Sequence, residues 1–523
     1  GRGGRKASPV LKEKNGVHFL VLIDANQLTG GNNMGKKIIK VSLAILIVIV
    51  AVMLIKTLSF TSRQIKTEPA GDFSVDEKNV SRHLSGAITI PTISYENETD
   101  SKGKVFLNFH KYLERTFPRV HKALQKEIVN NFSLLYTWPG KDKNLKPFIL
   151  MAHMDVVPVE EATKDQWIYK PFAGHIAEGY IWGRGALDNK SDLMGIMEAI
   201  EGLLTKGFQP QRTIYIVSGH DEERGGSQGA VKIAALLKSR GISPDYVLDE
   251  GMVITDGIMP GVSSRVGLIG IAEKGFMSVE IIAKGEGGHS SMPPRETTIG
   301  ILCKAITKLE SNPLPARLDG PAKYLFDCVG REMSFINKMI FANLWLTEGL
   351  LKSRLQKVKT TNAMIRTTTA PTMLEGSNRD NVMPNVARAV VNFRLLPGDT
   401  PNNVLEHIRK TVDDPRIEIR PVAKEIQAAS PVASINSKQF QVIQKSIRQV
   451  FPDVVVAPSL AVVASDSRHF AGLTNDVYRF APMVLKAADI SRLHGINERI
   501  AVENYVQMIK FYMQLITNSQ MEK

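Results

Sequence analysis

The sequence predicts an α/β protein with a polar site at its strand ends, a smaller α+β unit inserted into it, and an apolar segment ahead of both. Three observations lead there. From Pro147 to Gly251, short apolar strands, polar clusters and helical stretches follow one another in turn, the pattern of an open sheet covered by helices. From Gly275 to Val422 the order becomes strand-helix-strand-strand-helix-strand, a split βαβ sandwich. Val41 to Ile55 is an unbroken apolar or small-residue run, preceded by Lys36, Lys37 and Lys40 and followed by Lys56.

The chain has 523 residues, and single cores stop growing at roughly 250–300 residues, so two folded units with appendages are expected. The formal charge is +14, but residues 1–66 carry +9 of it and the remaining 457 only +5. A nearly balanced body is no footprint for nucleic acid. Cys303 and Cys328 are the only cysteines, which allows at most one disulfide and leaves stability to core burial.

Fifteen residues, Val41 to Ile55, fall between a signal-peptide core and the roughly 20 that span a bilayer. Ile38, Ile39 and Leu58 to Phe60 extend the run, and no small-x-small cleavage pattern follows. A signal-anchor over residues 34–60 is therefore favoured over a cleaved signal peptide. Residues 1–33 precede Met34 and are assigned no structure. The sequons Asn79-Val-Ser81, Asn97-Glu-Thr99 and Asn131-Phe-Ser133 follow the segment, which favours a secreted or lumenal body.

Taken in order, Asp76 to Ile88 reads as an entry helix, and Asn108 to Val129 continues in a helical pattern. Pro147 to Ala152 is a buried strand running into His153-Met-Asp155. If that strand continues, both polar side chains point to one face, where Asp155 can orient the imidazole. Trp182-Gly-Arg-Gly185 is a loop before Asp188, and Leu193 to Leu204 presents a wide apolar helical face ended by Lys206-Gly207. Strand Thr213 to Val217 leads to Glu222-Glu223, then helix Ala230 to Ser239, strand Tyr246 to Leu248 and Asp249-Glu250-Gly251. Residues 61–272 form the first part of the main domain, 273–423 the inserted unit and 424–523 the second part. Within the insertion, Phe335 to Leu355 is an apolar helical stretch.

His153, Asp188, Glu222-Glu223, Asp249-Glu250 and His494 all arrive at strand ends of one sheet. So many carboxylates in one place repel unless cations neutralise them. Two imidazoles with three or four carboxylates suit a pair of zinc-like ions, one carboxylate bridging. Adjacent Glu222 and Glu223 suit a division of labour, one on metal and one as general base.

Together, His153-x-Asp155, Gly183-Arg-Gly185-x-x-Asp188, the Glu222-Glu223 pair, Asp249-Glu-Gly251 and His494-Gly495 resemble the dizinc aminoacylase/carboxypeptidase metallopeptidase family. Ile90-Pro-Thr-Ile-Ser94, Glu273-Lys-Gly275, Gly288-His-Ser-Ser291, Ile365-Arg-Thr-Thr-Thr-Ala370 and Ser465-Asp-Ser-Arg-His469 are similar to its secreted N-fatty-acyl-amino-acid synthase/hydrolase branch, with vacuolar carboxypeptidase S near. The resemblance runs from about residue 75 to 520. It implies a mixed-sheet catalytic domain with a ferredoxin-like lid and two divalent ions, most simply zinc. One ion would be held by His153, Asp188 and Asp249, the other by Asp188, Glu223 and His494. Family members differ at 249 and 250; Asp249 is taken. Asp155 would orient His153, Glu222 would be the base, and His289 would reach from the lid to polarise the scissile carbonyl. Asn381 and Arg394 match positions that hold a substrate carboxylate. Asn189 is a departure, since near relatives often carry a second acid after the bridging Asp.

The expected activity is reversible hydrolysis of the amide between a fatty acid and an amino acid. A carboxypeptidase S-like action on short peptides is the alternative. A catalytically dead binding module would have lost a ligand, and none is missing. The partners implied are a small-molecule substrate and, through an uncleaved segment 34–60, a membrane.

Overall fold

The structure is a computed structural model that describes residues 28–95, 100–422 and 426–520. The sequon at Asn97 and residues 1–27 lie outside the described residues. The chain divides into two compact units, one ending at Ser59 and one beginning at Phe60. In the first, helix Leu28–Ser59 runs without a break and starts upstream of Met34. Its Gly35–Ser59 portion has 25 residues and contains an 18-residue stretch of mean hydropathy 3.1. At 1.5 Å per residue that is about 37 Å, enough by length and composition to cross a hydrocarbon layer of about 30 Å.

The second unit is built on a 10-stranded mixed sheet. From one edge its strands are Gln125–Val129, Ser133–Trp138, Ile214–Ser218, Phe148–Met151, Val247–Asp249, Val477–Arg479, Val266–Glu273, Ile254–Asp256 and Val484–Lys486, with Val455–Ala461 also paired to Val266–Glu273. Phe148–Met151 is parallel to both its neighbours and every one of its residues is buried, as a strand covered on both faces must be. Helices Glu77–Ile88, Lys190–Thr205 and Val502–Asn518 pack on one face around Leu84, Ile196, Ile200, Tyr505 and Phe511. Ala230–Ser239 covers the other face through Ile233 and Leu237.

The helical pattern expected from Asn108 to Val129 is broken. Helix Asp100–Thr116 stops before Pro118, a short helix follows, and Gln125–Val129 is a strand paired with Ser133–Trp138. The turn between them uses Asn130 at φ 49° and Asn131 at φ 71°. Two left-handed residues make the tight turn that hairpins prefer, so Asn-Asn outweighs the helical spacing of the apolar residues before it. Asn131 is exposed on that turn, whereas the sequon at Asn79 lies in the first turn of a helix with Ser81 buried.

The inserted unit has its own sheet, in the order Thr368–Glu375, Val386–Leu395, Gly275–Lys284, Ile417–Pro421, with each pair antiparallel. Counting strands along the chain, that is 2-3-1-4, the ferredoxin-like order. Helices Thr298–Ser311 and Pro401–Val412 close a separate core around Ile281, Leu302, Val391, Phe393 and Ile408. Four further helices, Gly320–Gly330, Phe335–Ala342, Leu344–Leu355 and Lys359–Ile365, fill the space between its first helix and second strand. Cys303 and Cys328 are both free thiols.

Candidate active site

The strand Phe148–Met151 ends before His153, so His153 and Asp155 are not carried by regular alternation. Backbone bonds hold the stretch instead: Ala152 N–H donates to Val217 O (3.1 Å), Met154 N–H to Gly219 O (2.9 Å) and Val156 N–H to Thr92 O (3.0 Å). Asp155 is fully buried. Its Oδ1 lies 3.2 Å from His153 Nδ1, and its Oδ2 accepts from the Ser94 hydroxyl (2.8 Å). The same carboxylate accepts the backbone N–H of Glu222 (3.1 Å) and of Glu223 (3.2 Å). One buried acid therefore orients an imidazole and sets the turn that carries both glutamates.

Asp188 stands at the end of the Gly183–Leu187 loop. A buried carboxylate shapes that loop: Glu498 Oε1 accepts the N–H groups of Gly185 (3.0 Å), Leu187 (2.7 Å) and Asp188 (3.1 Å). Its Oε2 pairs with Arg184 Nη1 (2.5 Å), and Arg184 Nη2 donates to His494 O (3.1 Å). His494 itself sits at φ 58°, a left-handed conformation costly for a residue with a Cβ and kept only where its surroundings fix it.

Asp188 lies between the two imidazoles, its Oδ1 3.0 Å from His153 Nε2 and its Oδ2 3.1 Å from His494 Nε2. Glu250 Oε1 is 3.2 Å and Glu222 Oε2 4.0 Å from His153 Nε2, while Glu223 Oε2 is 3.3 Å from His494 Nε2. Donor atoms of His153, Asp188 and Glu223, and of His153, Glu222 and Glu250, fall within 4.8 Å of one another. Burial, then the Asp188 charge, pushes Glu250 up to about 7. Glu222 is lifted well above the ordinary carboxylate range, first by burial, with Glu250, Asp466 and Glu223 adding to it against the pull of His153. Glu223 Oε1 is buried without a protein partner. A crowded, partly orphaned set of carboxylates and imidazoles suits divalent cations of the zinc class, and the residues present fit such a pair.

Two placements differ from what the resemblance implies. Asp249 Oδ2 accepts the Ser467 N–H (2.8 Å) at the end of its strand, and it is Glu250, one residue on, whose Oε1 lies 3.2 Å from the His153 imidazole. His289 and Asn381 come together on the lid, where strands Gly288–His289 and Val382–Met383 pair and Ser290 N–H donates to Asn381 O (3.1 Å). Both are exposed and neither lines the cleft that contains Glu222. His289 Nδ1 instead meets the Ser291 hydroxyl (2.8 Å).

The cleft holds about 1180 Å³. Asp188, Glu222, Glu223, Glu250 and His494 line one side, and Lys274, Arg394 and Arg468 line it as well. Arg394 lies over the Phe276 ring (4.8 Å), its acidity raised by burial and by Arg468. Burial and then Arg394 pull the Lys274 ammonium down to about 7. Val253, Phe276, Ile426, Val462, Val463 and Met483 supply apolar wall, with Ile426, Val462 and Val463 exposed. Lys274, Arg468 and Glu498 were not singled out from sequence, although the first two lie in motifs noted there, and Glu250 was weighed only as the alternative to Asp249.

An α/β sheet that gathers buried imidazoles and acids at its strand ends, with a ferredoxin-like lid, is the architecture of a metallopeptidase-type hydrolase. The chain belongs to peptidase family M20/M25/M40, whose model matches residues 149–518. It is 42% identical over 486 residues to a probable carboxypeptidase S-like protein of Dictyostelium discoideum, covering 91% of this chain and 93% of that one. It is 43% identical over 438 residues to an N-fatty-acyl-amino acid synthase/hydrolase of Danio rerio, covering 83% and 84%. Among solved structures, an M20 family metallo-carboxypeptidase from Sulfolobus solfataricus shares the fold, with TM-score 0.59 at 20% identity over 85% of this chain and 99% of that one.

Proposed function

We propose that this chain is a dizinc amidohydrolase that cleaves, and in reverse forms, the amide between a fatty acid and an amino acid. The observation that carries this reading is the composition of the cleft: an acidic cluster, three cations and an exposed apolar wall in one space. An N-acyl amino acid has the matching parts, an amide, a carboxylate and an alkyl chain. The likeness to the Danio rerio synthase/hydrolase supports it.

His153, Asp188 and Glu250 would hold one ion, and Asp188, Glu223 and His494 the other. When bound, the pair supplies Lewis acidity toward water and the amide carbonyl. Glu222 takes the proton of the attacking water and returns it to the leaving nitrogen, a task suited to a carboxyl held above its ordinary range. Asp155 keeps His153 and the Glu222 turn in register. Arg394, with Lys274 and Arg468, receives the substrate carboxylate.

The same cations suit the C-terminal carboxylate of a short peptide, and the Dictyostelium discoideum relative favours that second reading. Competition between an N-oleoyl amino acid and blocked dipeptides, with the purified zinc-loaded chain, separates the two. Preference for the dipeptides would overturn the acyl amino acid assignment. Helix Leu28–Ser59 would anchor a secreted or lumenal body, with Asn131 the accessible acceptor for glycan among the described residues. A mobility shift on deglycosylation that Asn131→Gln removes is the expected result.

A further inference from the structure

The helices between the first helix and second strand of the lid carry an apolar crest that their own core leaves unused. Phe335, Ile336, Trp345, Leu346, Leu350 and Val358 are each between 50% and 70% exposed. Helix Phe335–Ala342 buries none of its residues and Leu344–Leu355 buries only Leu351. Large apolar side chains left exposed together on successive helices mark contact surfaces on soluble proteins. From 331 to 359 there are six basic side chains against two acidic ones, so the crest is also cationic.

The first residues of the second unit pack close by. Phe60, the residue after helix Leu28–Ser59, has its ring under the Arg331 guanidinium (4.0 Å), and Arg331 Nη1 donates to Thr61 O (2.9 Å). Arg63 pairs with Asp327 (3.0 Å) and Gln64 Nε2 donates to Val456 O (3.0 Å). Residues 60–63, the first of the second unit, are thus seated on helix Gly320–Gly330 and its cap. Phe335 follows Arg331 by four residues, a reach of at most about 14 Å.

We infer that this crest seats in the interface of the bilayer crossed by the chain's own N-terminal helix, an inference that rests on the anchoring proposed above. The apolar side chains enter the boundary between headgroups and acyl chains, to a depth of about 5–10 Å. Lys338, Arg354, Lys357 and Lys359 meet anionic headgroups at its rim.

Trp345 makes the test direct. The other three tryptophans, Trp138, Trp167 and Trp182, are buried, and helix Leu28–Ser59 has none. The full chain is reconstituted in vesicles of equal parts brominated phosphatidylcholine and phosphatidylglycerol. The bromines are expected to quench a fraction of the fluorescence that Trp345→Phe removes. The double variant Ile336→Asp, Leu346→Asp should lose that quenching while still sedimenting with the vesicles. Wild-type quenching no greater than that of Trp345→Phe overturns the proposal, as does shielding of Trp345 that grows with protein density, the mark of a second copy. Resistance to alkaline carbonate reads the anchor separately. If carbonate strips the chain, the anchoring reading fails, and quenching of the released chain on added vesicles still decides the docking.

Discussion

The side-chain amide of Asn189 donates to Glu250 Oε2, while Glu250 Oε1 lies 3.2 Å from His153 Nε2. The residue that follows the central acid thus holds the acid that faces the first imidazole. An aspartate at 189 would set a second negative charge against Glu250; the amide supplies a donor instead. Partners of this kind are worth about 10–100-fold in metal affinity, so Asn189→Ala should weaken the ion proposed on His153, Asp188 and Glu250 by that factor in chelator competition. Unchanged affinity would make the bond dispensable.

Glu250 and Asp249 separate cleanly by experiment. Glu250→Gln should lower bound metal from two ions toward one by elemental analysis. Asp249→Asn keeps an oxygen for the Ser467 N–H and should retain both ions. A reversed result would restore Asp249 as the ligand.

Glu222→Gln removes the proton carrier and leaves the turn that Asp155 holds. We expect kcat to fall by about 10²–10⁴-fold, with KM and the thermal midpoint close to wild type. Residual activity within tenfold of wild type would move the proton to another group.

The cations in the cleft give a pH signature. Below about 7 the Lys274 ammonium is charged and adds to Arg394 and Arg468; above it the amine is neutral. A substrate carboxylate stays ionised throughout, so kcat/KM should decline as pH rises through 7. A bound anion that raises the lysine by about one pKa unit corresponds to a tenfold change. Lys274→Met should flatten this limb. Arg394→Ala should raise KM for the acid by about 10–100-fold, the scale of a lost charged hydrogen bond, and leave the methyl ester nearly unaffected.

Glu498 is the structural counterpart of these tests. Glu498→Ala leaves Arg184 buried without its partner and three N–H groups without an acceptor. Breaking such a pair costs about 3–5 kcal/mol, which a chemical denaturation midpoint will report.

Much of this was legible in the residues themselves. Helix Ala230–Ser239 and the inserted sandwich follow from apolar period and glycine stops, because burial imposes those patterns. The acids at strand ends were legible because so much like charge in one place demands an explanation. The choice between Asp249 and Glu250 was not, since it depends on which of two neighbouring acids the backbone turns inward, and the bond that occupies Asp249 comes from Ser467, 218 residues away. Glu498 escaped for a similar reason: a carboxylate that accepts backbone N–H groups leaves no periodic trace. The hairpin at Asn130 and Asn131 was masked by helical spacing before it, although the asparagines carried the signal.

The Arg184 to Glu498 ion pair has a consequence in time. Its partners are 314 residues apart, and at about 5–20 residues per second of synthesis the arginine waits about 15–60 s for its carboxylate. Throughout that interval the lid can fold on its own core, while the Asp188 loop lacks the group that shapes it. The centre is therefore completed only once Glu498 has been made, 314 residues after Arg184, and until then the Asp188 loop has no carboxylate to shape it.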